Sequence, residues 1–235
     1  MIKFFKRIRQ QLLTQNKFSK YLLYAIGEVV LVIIGILIAL AINKQSNIED
    51  NNKLRGLYII QLNDEADRNI DALNRNINWT NEILKEIDTL RNLVISKDYD
   101  NPKLFSKSHT LYIANYFIPD MVTYENLKFS GDLKLFNDLN LRNSITNAYL
   151  SFNRIKGVEE IDNQAKSRIF AEYFMPFSKL IDMSKSSKNF GKDVWFENAV
   201  LVRSTTLSQN KREYVNSIEA FKKLKITFAE LKKDN

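Results

Sequence analysis

The chain has no cysteine, and in 235 residues only one histidine, three prolines and six glycines. Without cysteine there is no disulfide, no thiolate zinc site, no lipoprotein attachment and no thiol nucleophile. A single histidine, His109, excludes a two-histidine metal site and a histidine relay. It leaves a lone titrating switch or an ordinary surface or core residue. The scattered glycines form no phosphate loop, nucleophile elbow or paired-glycine motif. Period-two runs of Val, Ile and aromatic residues are also missing, which predicts no sheet. Acid is absent from the first twenty residues, where Lys3, Lys6, Arg7, Arg9, Lys17 and Lys20 stand alone.

That last absence explains most of the net charge of +8. From residue 43 onward, 29 basic and 26 acidic residues nearly cancel. A nearly neutral body with a basic tail is the pattern of membrane orientation rather than of nucleic-acid binding, so no nucleic-acid partner is expected.

The basic tail leads into "YLLYAIGEVVLVIIGILIALAI", residues 21–42, interrupted by one carboxylate, Glu28. Twenty-two helical residues rise about 33 Å, enough to cross a hydrocarbon core. The positive-inside rule places residues 1–20 in the cytoplasm and 43–235 outside it. The rivals are a cleaved signal peptide and a buried core helix. Ala39-Leu40-Ala41 matches a cleavage pattern, but it lies inside the run with no polar spacer, and the run is long for a signal. A core helix of a soluble protein would not be apolar on every face. The first fourteen residues place Phe5, Ile8 and Leu12 on one helical face and Lys6, Arg9 and Gln10 largely opposite. This suits a helix on the headgroup layer, or a basic tail that only orients the span. Glu28 falls near the inner edge of the hydrocarbon, where it must be protonated, paired, reached by water or snorkelling. Gly27, and Gly35 with Ala39 four residues on, offer small surfaces to a neighbouring helix, so Glu28, Gly27, Gly35 and Ala39 are the candidate association residues.

Beyond the run, Leu54, Tyr58, Leu62, Ala66, Ile70, Leu73, Ile77, Leu84, Ile87, Arg91 and Val94 recur at three- or four-residue steps. They predict a helix to about Ser96, stopped by "KDYDNP". Pro102 suits a helix start, Pro119 a helix end, and Gly131 a residue just past a helix ending near Phe129. Asn137 or Asp138 caps a new helix. A further one is expected from Gly157 to about Pro176, and a last helical region over Trp195–Leu231 with a break at Gln209-Asn210. "MSKSSKNFGK" reads as a loop. The fold class is therefore all-α: an N-terminal transmembrane helix (21–42) continuing into an antiparallel helical-bundle outer domain (43–235), after a basic amphipathic segment (1–20).

The opening stretch, most specifically "NKFSKYLLYAIGE" and the apolar run, resembles an uncharacterised family of membrane proteins abundant in Bacteroidota, domain-of-unknown-function family 6090. "TYENLKFSGDLKLFNDLNLRNSI" is similar to a second recurring block of that family, whereas "NKQSN" departs from the asparagine-tryptophan pair usual after its anchor. The resemblance implies an inner-membrane protein with a periplasmic helical domain, no known activity and no catalytic residues.

Candidate chemistry is sparse. Asp64, Asp67 and Asp71 share a helix face and suggest a cation, but Arg68 and Arg75 stand four residues after Asp64 and Asp71, the spacing of ordinary ion pairs. Tyr124, Glu125, Ser130 and Gly131 lie in the second block and are candidates for a ligand site or for support of a turn. Asp88-Thr89-Leu90 fits a short O-glycosylation pattern of that bacterial group. No convergent titratable cluster points to an enzyme or a cofactor. The expected function is a membrane-tethered interaction or assembly module whose partners are the bilayer and a second copy or another membrane protein. The alternative is a helical-bundle ligand sensor signalling through a partner subunit.

Overall fold

The computed structural model describes residues 18–179, 181, 184–185 and 189–231, of which 85% are helical. It divides into two compact units, Met1–Gly56 and Leu57–Asn235. Among the described residues, five α-helices of seven or more residues carry the fold: α1 (Phe18–Ile95), α2 (Pro102–Ser108), α3 (Val122–Phe129), α4 (Leu139–Ile169) and α5 (Val194–Leu231). The strand content of the described residues is one antiparallel pair, Ser178–Lys179 with Ser184–Lys185.

In the first unit, α1 from Leu22 is long and apolar enough to cross a membrane. Its large apolar side chains, Leu22 and Leu23 through Leu40 and Ile42, are exposed. This stretch encloses nothing of its own.

The second unit is built the opposite way. Beside a buried Glu65, the seam positions along α1 are Leu62, Ala66, Asn69, Leu73, Asn76, Thr80, Ile83, Ile87, Leu90 and Val94. They alternate steps of four and three, a seven-residue repeat of the kind that keeps one seam facing a partner. α4 repeats the pattern from Leu141 through Ile145, Ala148, Phe152, Ile155, Glu159, Asp162 and Lys166 to Ile169. On α5 it runs from Phe196 through Val200, Arg203, Leu207, Asn210, Tyr214, Ser217, Phe221 and Leu224 to Phe228. Ser151 bonds to Ser217, Glu159 to Tyr214 and Asp162 to Arg203, so α4 and α5 are antiparallel. The first half of α1 (Leu62–Leu73) packs with the first half of α4 and the second half of α5, and its second half (Ile83–Val94) with Ile169 and the first half of α5, so α1 is parallel to α4 and antiparallel to α5.

The apolar positions form two clusters. One gathers Leu62, Leu73, Tyr124, Ile145, Tyr149, Phe152 and Phe221. The other gathers Ile87, Leu90, Leu104, Tyr173, Phe190, Phe196 and Leu207. Each large side chain fully buried contributes about 1.5–3 kcal/mol. Between the clusters the repeat carries Asn76, Thr80, Glu159, Asp162, Lys166, Arg203 and Asn210, a polar belt across the middle of the core.

Several ends form as the sequence predicts. α1 stops at Ile95, and the Lys97 and Asp98 N–H groups donate back to the Val94 and Leu93 carbonyls. Lys97 sits there at φ 56°, the left-handed position usually filled by glycine. Asn101 caps α2 with Pro102 in its first turn, and Asp138 caps α4 by accepting from the Asn140 N–H. Gly131, at φ 75°, follows the end of α3.

Other expectations need correction. The apolar stripe predicted on α1 passes through Ile70, Ile77, Leu84 and Arg91; the buried seam lies one residue earlier, at Asn69, Asn76, Ile83 and Leu90. Counting apolar residues steps around a seam that is partly polar. Gly157 does not begin a helix, because α4 runs through it with its α-carbon facing open space. Gln209-Asn210 does not break α5, because Asn210 is a buried seam position. No helix ends at Pro119: residues 112–121 form an irregular segment laid across the bundle.

Candidate functional site

That irregular segment determines where the buried charges lie. A chain without helix or sheet pairing cannot be buried unless side chains satisfy its N–H and C=O groups. All three long helices supply them. From α1, Asn69 pairs with Asp120 like a second strand: its Oδ1 accepts the Asp120 N–H at 2.8 Å, and its Nδ2 donates to the Asp120 carbonyl at 2.7 Å. Asn76 Oδ1 also accepts from the Asn115 side-chain Nδ2 at 3.0 Å. From α4, Glu159 accepts the Phe117 N–H at 2.9 Å and the Tyr214 hydroxyl at 2.6 Å. From α5, the fully buried Arg203 donates to the Ile113 carbonyl at 2.8 Å and the Thr110 carbonyl at 3.4 Å.

Glu65 completes the clamp. It is fully buried, and it accepts the Thr123 N–H at 2.6 Å, the Tyr124 N–H at 3.3 Å and the Tyr149 hydroxyl at 2.5 Å. Thr123 and Tyr124 open α3, so a carboxylate from another helix caps its orphan donors and meets the positive end of its dipole. Burial, followed by the bond to Glu65, pushes the Tyr149 hydroxyl far above its ordinary range.

The belt is ionic at its centre. Arg203 pairs with Asp162, which also accepts from Thr206 and lies 3.3 Å from Lys166. Lys166 sits over the Tyr116 ring, 4.6 Å from its centroid. Burial pushes the Asp162 carboxyl up, but Arg203, Thr206 and Lys166 outweigh it and hold the group below the usual carboxylate range. Glu159 goes the other way. Burial raises it, and its hydrogen bonds and Lys166 offset that only in part.

Among the four residues of the second sequence block, the structure separates roles. Tyr124 is buried and stacks on Tyr149 at 4.2 Å with planes 4° apart. The Glu125 N–H closes the first turn of α3 on the Met121 carbonyl. The Ser130 hydroxyl donates to the Leu127 carbonyl and accepts the Asp132 N–H, while Asp132 accepts the Tyr58 hydroxyl at 2.9 Å. Ser130 and Tyr58 hold Asp132 below the usual carboxylate range. Tyr124 thus belongs to the Glu65 clamp, and Ser130 and Gly131 to the turn.

Of the candidate association residues, Gly27, Gly35 and Ala39 are exposed, and a side chain added at either glycine would meet nothing within 4 Å. Glu28 is half-buried on the same stretch. Lys3, Lys6, Arg7, Arg9 and Lys17 lie outside the described residues, as does the expected surface helix; Lys20 falls within α1. The aspartate face of α1 gathers no metal cluster among the described residues. Asp67 pairs with Lys225, and Arg68 reaches across to Asp120 at 2.7 Å rather than pairing along the helix with Asp64. Thr89 is mid-helix, donating to the Lys85 carbonyl, beside the fully buried Leu90.

Glu65, Asn69, Glu159, Asp162, Lys166 and Arg203 do not stand out in the sequence. The signal that could have found all but Glu65 is the seven-residue spacing, which places a polar residue on each seam.

Among the described residues, the surface of this unit carries hollows, two of which matter here. One, of about 270 Å³, lies between α4 and α5 and is lined by Ala165, Arg168, Ile169, Trp195, Asn198 and Val202 among others. The other, of about 240 Å³, lies beside His109.

The model of a family of unknown function (DUF6090) matches residues 28–203, from the apolar stretch through Arg203. The chain belongs to that family. No curated protein and no solved structure matches it.

Proposed function

We propose that the chain is a membrane-tethered interaction or assembly module. In this reading residues 21–42 cross the inner membrane once, with residues 1–20 in the cytoplasm and 43–235 in the periplasm. The observation that carries it is the exposure of the large apolar side chains between Leu22 and Ile42. Hydrocarbon removes the cost of that exposure, whereas water does not. The buried carboxylates and cations of the bundle are engaged in holding an irregular segment in place, and the reading assigns the chain no catalysed reaction, cofactor or nucleic acid.

A C-terminal alkaline phosphatase fusion should be active and membrane-bound at full length. A soluble mature form beginning near Ile42 would refute the tether. Association is assigned to the face of Gly27, Glu28, Gly35 and Ala39, against a second copy or another membrane protein. Glu28→Gln and Glu28→Leu test it in a membrane-helix association assay. Retention in Gln with loss in Leu means a hydrogen-bonded neutral carboxyl, and loss in both means a required charge. Retention in both removes Glu28 from the interface. A second reading, a ligand sensor acting through a partner subunit, is favoured by the hollow beside His109.

A further inference from the structure

The hollow beside His109 has aromatic walls and one polar group, the Ser178 hydroxyl, that the protein itself does not satisfy. Phe105, Tyr112 and Phe174 line it, with Ser106, His109 and Ser178. Tyr112 packs on Phe174 with centroids 4.6 Å apart, and Phe105 is edge-on to Phe190 at 5.0 Å, so the walls are braced from behind. Ser178 is more than nine-tenths buried, yet its hydroxyl has no hydrogen-bond partner. A buried hydroxyl left without a partner is costly, so a ligand that bonds to it gains by doing so. The polar groups of the neighbouring turn are engaged: Ser108 donates to the Phe105 carbonyl, and Thr110 to the Lys107 carbonyl. His109 Nδ1 lies 2.8 Å from the Ser106 carbonyl, which can only accept. Nδ1 is therefore the donor there, and in a neutral ring Nε2 is free to accept. None of the lining side chains is a carboxylate, lysine or arginine.

We propose that this hollow is a binding site for a small neutral aromatic molecule bearing one hydroxyl or ring N–H, of the phenol or indole class. The ring lies among Phe105, Tyr112 and Phe174, where edge and face contacts favour another aromatic. Its polar group bonds to the Ser178 hydroxyl, with His109 Nε2 and the Tyr112 hydroxyl at the rim. The absence of a charged wall disfavours an ionised ligand, and a volume of about 240 Å³ admits one ring system rather than an extended chain. The site supplies the sensor reading with a ligand class, and rests on that reading only for the consequence of binding, not for binding itself.

The test is ¹⁹F NMR titration of 4-fluorophenol and 5-fluoroindole against the full-length chain in nanodiscs, with empty nanodiscs as the blank. Saturable binding of at least one probe above the blank is expected. Ser178→Ala and Tyr112→Phe each remove a single oxygen, and at least one of them should weaken binding about three- to tenfold. Circular dichroism matching the wild type would confirm that the variants fold. No saturable binding by the wild-type chain, or affinity unchanged in both variants, would overturn the site. Binding without a change in any partner interaction would leave the site standing and remove the sensor reading.

Discussion

One helix, α1, carries two opposite arrangements. Over residues 22–42 its apolar side chains face outward all around, and the one carboxylate is Glu28. Over residues 62–94 a narrow seam is buried, and three of its ten positions, Asn69, Asn76 and Thr80, are polar. A span that meets lipid satisfies its backbone within the helix and needs only apolar side chains. A seam that must also hold an irregular segment needs donors and acceptors inside. Hydrophobicity alone therefore marks the first stretch, while spacing marks the second.

Removing a buried charge from the bundle should have the largest effect. Arg203→Ala leaves Asp162 without its main partner and two carbonyls unsatisfied. It should cost about 3–5 kcal/mol, read as a large drop in the thermal midpoint of the full-length chain by circular dichroism. The converse is to place a charge in the apolar stretch. Val32→Asp should disfavour insertion by about 2.5–3.5 kcal/mol, seen as a rise in the carbonate-extractable fraction. If the two stretches of α1 answer to different solvents, neither effect should appear in the other assay.

Two glycines of the bundle should give smaller effects of opposite sign. Gly191 sits at φ 83°, and a Cβ there would come within 2.6 Å of the buried Leu104 Cδ2. Gly191→Ala should therefore destabilise by about 2 kcal/mol in the same melt. Gly157→Ala should instead stabilise by about 0.5–1 kcal/mol, since the helix is continuous there and the added methyl meets open space.

The smallest effect is a slope. Glu159 holds its proton in the folded chain above the ordinary value of 4.5, so stability falls as pH rises from there through the folded value. Asp162 has the opposite sign, and its contribution is lost as pH falls below 3.8. Lys166 bears on both groups, and Arg203 on Asp162. Glu159→Gln keeps an acceptor for Tyr214 and Phe117. It should flatten the first slope in a pH series of thermal melts and leave the acid loss in place.

The apolar stretch, the helical class and several boundaries were legible in the sequence because each depends on neighbouring residues. Asp138 and Asn101 cap their helices through residues two positions away, and Gly131 turns by its own freedom. The candidate block containing Tyr124 and Ser130 was legible as a turn, but not as the capped start of α3. Its cap, Glu65, lies 58 residues earlier. Arg203 and Asp162 are 41 residues apart, and Glu65 and Tyr149 are 84 apart. Local pattern therefore determined what the chain could make: helices, the first of them with a stretch fit for lipid. Tertiary structure alone decided which charges go inside. A buried carboxylate or guanidinium is tolerable only when partners from other helices and from the crossing segment arrive together.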